Sequence, residues 1–495
     1  MDFLANLGNG FVIALTPGSL FYCGVGVILG TAIGVLPGLG PAATIALLLP
    51  ITFKMEAVSA LIMLAGIYYG AMYGGSTTSI LLNIPGEAAS VVTCIDGYQM
   101  ARKGRAGRAL GMSAIGSFIA GTISLLGVSI VAPSLAAFAL KFGTPEYFSL
   151  VILGLLMAVY LSEESVIKGL IMCVAGLLLG TVGIDPVFGA QRFTFGLSKL
   201  VDGFDFVVVV MGLFGISEIL CNMETPEIRD VFKTAIKGLY PTLEDWRRCW
   251  ASVLRGSLIG FFIGVLPGGG GIISSFASYA VEKRISKHPE EFGRGAIEGV
   301  AAPESANNAA STSSFIPLLT LGVPGNSTIA MIFVAFMIHG IKPGPFLIRE
   351  HPELFWGLLA SMYIGNIMLL GLNLPLVGMW VRMLKVPYRY LAVLVVVICV
   401  VGAYSVSNSV FDVGVMAVFG VIGYLLRKAG LPSTPFVLAI ILGPMLERNL
   451  QQALIASGGD LLVFFQRPIS ATLLSIAGLL MLSPLVRIYW RRSHQ

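Results

Sequence analysis

The chain reads as an all-α polytopic membrane protein with about twelve transmembrane helices. Re-entrant or broken helices are expected among them, in two inverted repeats. Three observations carry that reading. Of 495 residues, 56% are hydrophobic and only 12% are charged, against about 25% charged in soluble domains; mean hydropathy is +0.88. The apolar stretches are continuous over roughly the 20 residues a spanning helix needs, and do not alternate as barrel strands do. Finally, a glycine-rich segment of the first half recurs in the second. A soluble enzyme, a DNA-binding protein and a disordered chain are thereby excluded.

In chain order, spans are expected near 20–36, 58–73, 109–133, 146–162, 166–184 and 204–222. A second set falls near 251–267, 327–341, 354–380, 388–405, 410–427, 431–447 and 470–490. The pieces 41–53, 76–85, 271–281 and 305–323 are too short to span and are flanked by Gly and Pro, the pattern of re-entrant or broken helices. The first basic residue is Lys54 and no A-x-A site precedes the first apolar run, so the N-terminus is expected to be retained. The resulting division is a first membrane repeat (1–222), a cytoplasmic linker (223–250), a second repeat (251–430) and C-terminal helices (431–495). Trp246, Trp250, Trp356, Trp380 and Trp490 fall near expected span ends, as interfacial anchors do. The six scattered cysteines read as small buried hydrophobes. There is no G-K dipeptide, hence no Walker A loop, and transport work would need an ion gradient or another subunit.

The repeat is specific. GVILGTAIGVLPGLGP (26–41) and GSLIGFFIGVLPGGGG (256–271) share nine of sixteen positions at an offset of 230. Both carry glycine every fourth residue and both break at Pro-Gly. The likeness continues from STTSILLNIPG (76–86) to STSSFIPLLTLGVPG (311–325). Thirty-one basic against 26 acidic residues give a net charge of +5, and such an excess collects in cytoplasmic loops. Arg102, Lys103, Arg105 and Arg108 are therefore placed inside, whereas the equivalent 342–353 loop falls outside, which makes the repeats inverted. The basic 282–294 loop fits inside only if 251–281 forms a hairpin.

Three constellations could carry chemistry. The first is the pair of helix breaks at Pro37, Gly38, Gly40 and at Pro267, Gly268. New half-helices follow, with Thr44 and Ser274 in their first turns. A break frees carbonyls for a cation and exposes N–H groups for an anion. The glycines ahead of it (Gly26, Gly30, Gly256, Gly260) read as helix packing instead. The second is a pair of polar runs in apolar context: Gly74, Gly75, Ser76, Thr77 leading to Asn83, and Glu304, Ser305, Asn307, Asn308 leading to Asn326 and Ser327. Hydroxyls and amides inside a bilayer must face water, one another or a ligand, although single Ser and Thr residues often only back-bond to their helix. The third is Glu304 itself, which could bind a cation, carry a proton or cap a helix. Glu218 and Asp412 are weaker candidates near span ends.

GVLPGLGPAATIALLLP, YGAMYGGSTTSILLNIPGEAASVVT, GVLPGGGG and APESANNAA…GVPGNST resemble the large membrane (permease) subunit of the tripartite tricarboxylate transporters, the TctA type, from about residue 15 to the last spans. The resemblance implies a binding-protein-dependent secondary transporter of the bacterial inner membrane with an elevator-like fold. Its implied partners are a small membrane subunit of about four spans, a periplasmic substrate-binding protein and an organic di- or tricarboxylate; no nucleic acid is expected. No cofactor is expected beyond a coupling ion, Na⁺ or H⁺, with a possible Na⁺ locus near Gly38, Gly268, Glu304 and Asn308. A stand-alone organic-anion symporter is the alternative, and a passive channel fits inverted repeats less well. No aspartyl, serine or zinc signature lies in a span, so an enzyme is not expected.

Overall fold

The computed structural model describes residues 3–36, 40–161, 165–224, 238–383 and 388–493. The first half comprises α1 (Phe3–Ala14), α2 (Pro17–Val35), α3 (Pro41–Thr52), α4 (Ala57–Leu82), α5 (Val91–Arg102), α6 (Ala106–Ala139), α7 (Thr144–Tyr160) and α8 (Val166–Gly180). A short antiparallel hairpin, β1 (Gly183–Ile184) with β2 (Gln191–Arg192), precedes α9 (Phe206–Val210), which runs through a π-helical stretch, Met211–Ile216, into α10 (Ser217–Glu224). The second half comprises α11 (Leu243–Val265), α12 (Gly271–Ile285), α13 (Glu298–Ser313), α14 (Phe315–Leu321), α15 (Ser327–Ile338), α16 (Leu347–Glu350) and α17 (Pro352–Asn373). It closes with α18 (Val377–Met383), α19 (Tyr388–Ser407), α20 (Val410–Lys428), α21 (Ser433–Ala456), α22 (Val463–Gln466) and α23 (Pro468–Ser493).

Among the described residues, eight helices are long and apolar enough to cross a membrane, fewer than the dozen expected. The expected spans near 146–162, 166–184 and 327–341 fall on helices of 17, 15 and 12 residues. The expected short piece 76–85 is instead the end of α4, one continuous helix of 26 residues. It stops at Asn83, a left-handed C-cap at φ 59°. Helix α11 starts inside the segment read as linker, because Thr242 and Asp245 form a reciprocal capping box there. Residues 225–237 of that segment lie outside the described residues. Helices α19 and α20 show water-averse side chains such as Val393, Leu394, Val397 and Val421 on the outer surface, as lipid-facing helices do.

The glycine stripes pack helix on helix, and they do so identically in both halves. A Cβ at Gly26, Gly30 or Gly34 of α2 would lie 2.3, 2.5 or 2.3 Å from the carbonyl oxygens of Met63, Ile67 and Ala71 on α4. A Cβ at Gly256, Gly260 or Gly264 of α11 would lie 2.4, 2.2 or 2.4 Å from those of Ala302, Ala306 and Ala310 on α13 or, at Gly264, from the Ser313 hydroxyl as well. Only hydrogen fits between such backbones. The pairing sets Ile84-Pro85-Gly86-Glu87 against Val323-Pro324-Gly325-Asn326, each run following a left-handed residue, Asn83 or Gly322.

Helices α11 and α12 form the hairpin that the basic 282–294 loop requires. Arg255 midway along α11 pairs with Glu282 in the last turn of α12 at 2.7 Å, and Arg248 nearer the start of α11 pairs with Glu291 and Glu298 at 2.8 Å. The loop after α12 docks on the first half. Asp96 of α5, fully buried, accepts the backbone N–H groups of Gly293, Gly295 and Ala296 at 2.9, 2.7 and 3.0 Å and the Tyr279 hydroxyl at 2.8 Å. Lys103 and Arg105 donate to the carbonyls of Arg294 and Gly295, which brings the two basic loops to one side.

Candidate functional site

Helix α13 lies at the centre. All sixteen of its residues are buried, although it carries two glutamates, two asparagines, three serines and a threonine. Small side chains let α4, α5, α6, α11 and α12 crowd around it, and Glu304 and Asn308 find partners on them. The Glu304 carboxylate accepts the hydroxyls of Ser76 on α4, Thr93 on α5 and, at 3.1 Å, Ser113 on α6. Three helices of the first half thus converge on one acid of the second, which is 1% exposed. One turn along, the Asn308 amide donates to the Ser117 hydroxyl at 2.7 Å and to the Glu304 carbonyl at 3.1 Å. Glu304 sits mid-helix, so it does not cap a helix end. Ser311, Thr312 and Ser313 bond back to their own helix.

A cavity of about 540 Å³ lies between the halves, beside this cluster. The first turns of α3, α12, α15 and α21 all line it, together with the residues that open α5. Helices α3, α12 and α21 begin at Gly40, Gly270 and Pro432, with no side-chain cap. Pro41 and Pro435 carry no N–H, but the other first-turn N–H groups have no side-chain cap, and each helix end carries about half a positive charge. Asn326 caps α15 through Ile329 N and donates to the Tyr68 hydroxyl at 3.2 Å. Glu87 holds the pseudo-equivalent place, accepting from Ala89 N at 2.7 Å and from the Asn307 amide at 3.1 Å. Asn307, on the same helix as Glu304, thereby reaches the cavity acid Glu87, and its own Oδ1, buried against Gly271, has no hydrogen-bond partner. Within the second repeat the break meets the VPGN run directly, Gly268 N donating to Gly325 O at 2.6 Å. Glu218 and Arg427 face each other as an ion pair on the cavity wall.

The expected residues therefore separate. Gly40, Gly268, Asn326 and Ser327 line the cavity. Ser76, Glu304 and Asn308 belong to the carboxylate cluster, so Gly268 is not part of the hydrogen-bonded set around Glu304 and Asn308. Pro37 and Gly38 lie outside the described residues. Thr44 and Ser274 bond back to the carbonyls of Gly40 and Gly271 inside their first turns. Gly74 and Gly75 are close-packing positions: a Cβ would lie 2.3 Å from Thr31 O and 2.8 Å from Glu87 Cγ. Thr77 is buried in α4, Asn83 makes the turn after it, and Pro267 precedes the second break. The Ser305 hydroxyl is buried without a partner, against Gly116 and Gly256. Thr93, Ser113, Ser117, Glu87 and Arg427 were not anticipated. Thr93, Ser113 and Ser117 sit singly in apolar helices and leave no pattern; Glu87 is signalled by the IPGE and VPGN pair.

The model of the tripartite tricarboxylate transporter TctA family matches residues 20–438. The chain belongs to that family. It is therefore a permease component of a tripartite tricarboxylate transporter, a multi-pass membrane protein. It is 55% identical over 476 residues to an "uncharacterized 52.8 kDa protein in TAR-I ttuC' 3'region" of Agrobacterium vitis, covering 96% of this chain and 95% of the relative. It is 54% identical over 217 residues to an "uncharacterized protein in TAR-II ttuC' 3'region" of the same organism, covering 44% of this chain and 90% of that one. No solved structure matches the chain.

Proposed function

We propose that this permease carries an organic di- or tricarboxylate across the bacterial inner membrane, driven by a Na⁺ or H⁺ gradient. In this reading a periplasmic binding protein delivers the substrate and a small membrane subunit of about four spans completes the complex, as the family implies. The observation that carries the reading is the convergence of uncapped helix N-termini on one cavity at the breaks of both repeats. Such ends bind carboxylates without charged side chains. The repeats are taken as inverted and the motion as elevator-like, with the substrate between them. Glu304 is the acid through which the ion acts, as an intramembrane carboxylate without a basic partner must be neutralised by a proton or cation.

Uptake into proteoliposomes tests this. The permease and small subunit are reconstituted, a Na⁺ or H⁺ gradient is imposed, and labelled di- and tricarboxylates are offered with and without a periplasmic binding protein. Uptake that requires both gradient and binding protein is expected. Gradient-driven uptake without the binding protein would instead favour a stand-alone symporter. No uptake of any carboxylate would overturn the substrate class.

A further inference from the structure

The helix ends do not use the one strong cation of the cavity. Among the described residues lining it, Arg427 is the single basic side chain, and Glu218 and Glu87 are the acidic ones. Glu87 is committed to Ala89 N and Asn307. Glu218 pairs with Arg427, the side chains being 16% and 35% exposed. The arginine can therefore reach a ligand in the cavity, whereas its resident partner is the more enclosed.

Two features around this pair are built. Glu218 follows the π-helical stretch Met211–Ile216. Such a stretch shifts the register of the residues beyond it and is common at functional sites. Helix α20, whose last turn carries Arg427, is pressed onto this stretch by small residues. A Cβ at Gly212 would lie 2.4 Å from Met416 O, and one at Gly423 would lie 2.9 Å from Leu213 O. A second, more exposed contact joins the same helices, Lys428 and Tyr424 of α20 binding Glu224 of α10, the lysine at 2.8 Å.

We propose that Arg427 is the side-chain anchor for a substrate carboxylate in this cavity, and that Glu218 is its resident counter-ion, displaced when substrate binds. The inference rests on reading the cavity as a carboxylate site. The physical reason is exchange of like for like. A guanidinium presents two parallel N–H groups to a planar carboxylate. In the empty cavity Glu218 supplies that carboxylate, which spares the arginine an unpaired state in a low-dielectric wall. A substrate carboxylate competes for the same fork while the helix ends hold the rest of the anion.

The pair predicts opposite shifts, which a merely structural bridge would not produce. Uptake kinetics of labelled citrate, malate and succinate are measured on the reconstituted complex for wild type, Arg427→Gln, Arg427→Lys, Glu218→Gln and the double Gln variant. Loss of a charge-assisted contact raises KM about tenfold or more in Arg427→Gln. Arg427→Lys, which keeps the charge but not the fork, falls between. Glu218→Gln lowers KM by removing the competitor, and the double variant matches Arg427→Gln. Size-exclusion profiles confirm that each variant is folded, and the two conservative changes keep the test alive if Arg427→Gln is not. KM unmoved in Arg427→Lys, or raised in Glu218→Gln, would overturn the proposal while the transport reading stands. Uptake of none of the three anions by wild type would instead overturn the carboxylate reading, and this inference with it.

Discussion

At the residue scale, Glu304 is the most consequential side chain. It is buried, it has no basic partner among the hydrogen bonds it makes, and it collects hydroxyls from α4, α5 and α6. Those contacts make it a structural acceptor, the proposed function also makes it the acid through which a coupling ion acts, and two substitutions separate the roles. Glu304→Gln retains an acceptor oxygen and a comparable shape, and the three hydroxyls can rotate to suit. Folded protein is expected at near wild-type yield, with the Na⁺ or H⁺ dependence of uptake abolished or altered. An unchanged ion dependence in flux measurements would reduce Glu304 to a structural acceptor. Glu304→Ala strands three buried hydroxyls at about 1–3 kcal/mol each, so it is expected to lower thermal stability in detergent markedly.

At the element scale, the molecule depends on helices that touch backbone to backbone. Gly30 faces Ile67 O and Gly260 faces Ala306 O across equivalent helix pairs. Neither carbonyl can retreat without moving its helix, so Gly30→Ala and Gly260→Ala should each cost about 1–3 kcal/mol through overpacking. Gly24 of α2 and Gly371 of α17 have nothing within 4 Å of a built Cβ. Alanine there should be neutral, or stabilising by up to about 1 kcal/mol through helix propensity. Thermal unfolding of the four variants in detergent checks this. Equal behaviour of the two pairs would contradict the backbone contact. The same close approach lets neighbouring segments pair Glu304, Asn307 and Asn308 of α13, whereas Ser311, Thr312 and Ser313 bond back to α13 itself.

At the scale of the whole molecule, the two repeats are not separable lobes. Glu304 of the second half is held by the first, the Tyr73 hydroxyl donates to Asn366 at 2.6 Å, and the Ser124 hydroxyl donates to Ala309 O at 2.8 Å. Asp96 captures the loop that follows α12. Each half alone would leave Glu304, Tyr73 and Ser124 without these partners inside the bilayer, where no water compensates them, and would leave Asp96 without its loop. Fragments 1–224 and 238–495, which keep α10 and α11 whole, should therefore fail to give monodisperse protein when expressed singly and recover it when co-expressed. Two independently stable fragments would show that the cross-repeat bonds are dispensable.

Composition and continuous apolar runs alone determined that the chain is helical and crosses a membrane, because a bilayer admits few other solutions for so hydrophobic a sequence. The doubled GVLPG run located the breaks, since Pro and Gly end helices through local backbone geometry. Ser76, Glu304 and Asn308 were legible because a carboxylate, an amide and hydroxyl runs stand out in apolar context. What joins them was not. Thr93 and Ser113 are ordinary single hydroxyls until α5 and α6 are laid against α13, and Arg427 reads as one more cytoplasmic positive charge until α20 brings it to the cavity wall. Gly74 and Gly75, read as site residues from the same polar run, are closely packed against Thr31 and Glu87, a contact the sequence could not show because a glycine's local signature is the same whether a ligand or a second backbone fills its space. Local chemistry determined where the chain bends; only packing between distant helices decided which polar groups meet.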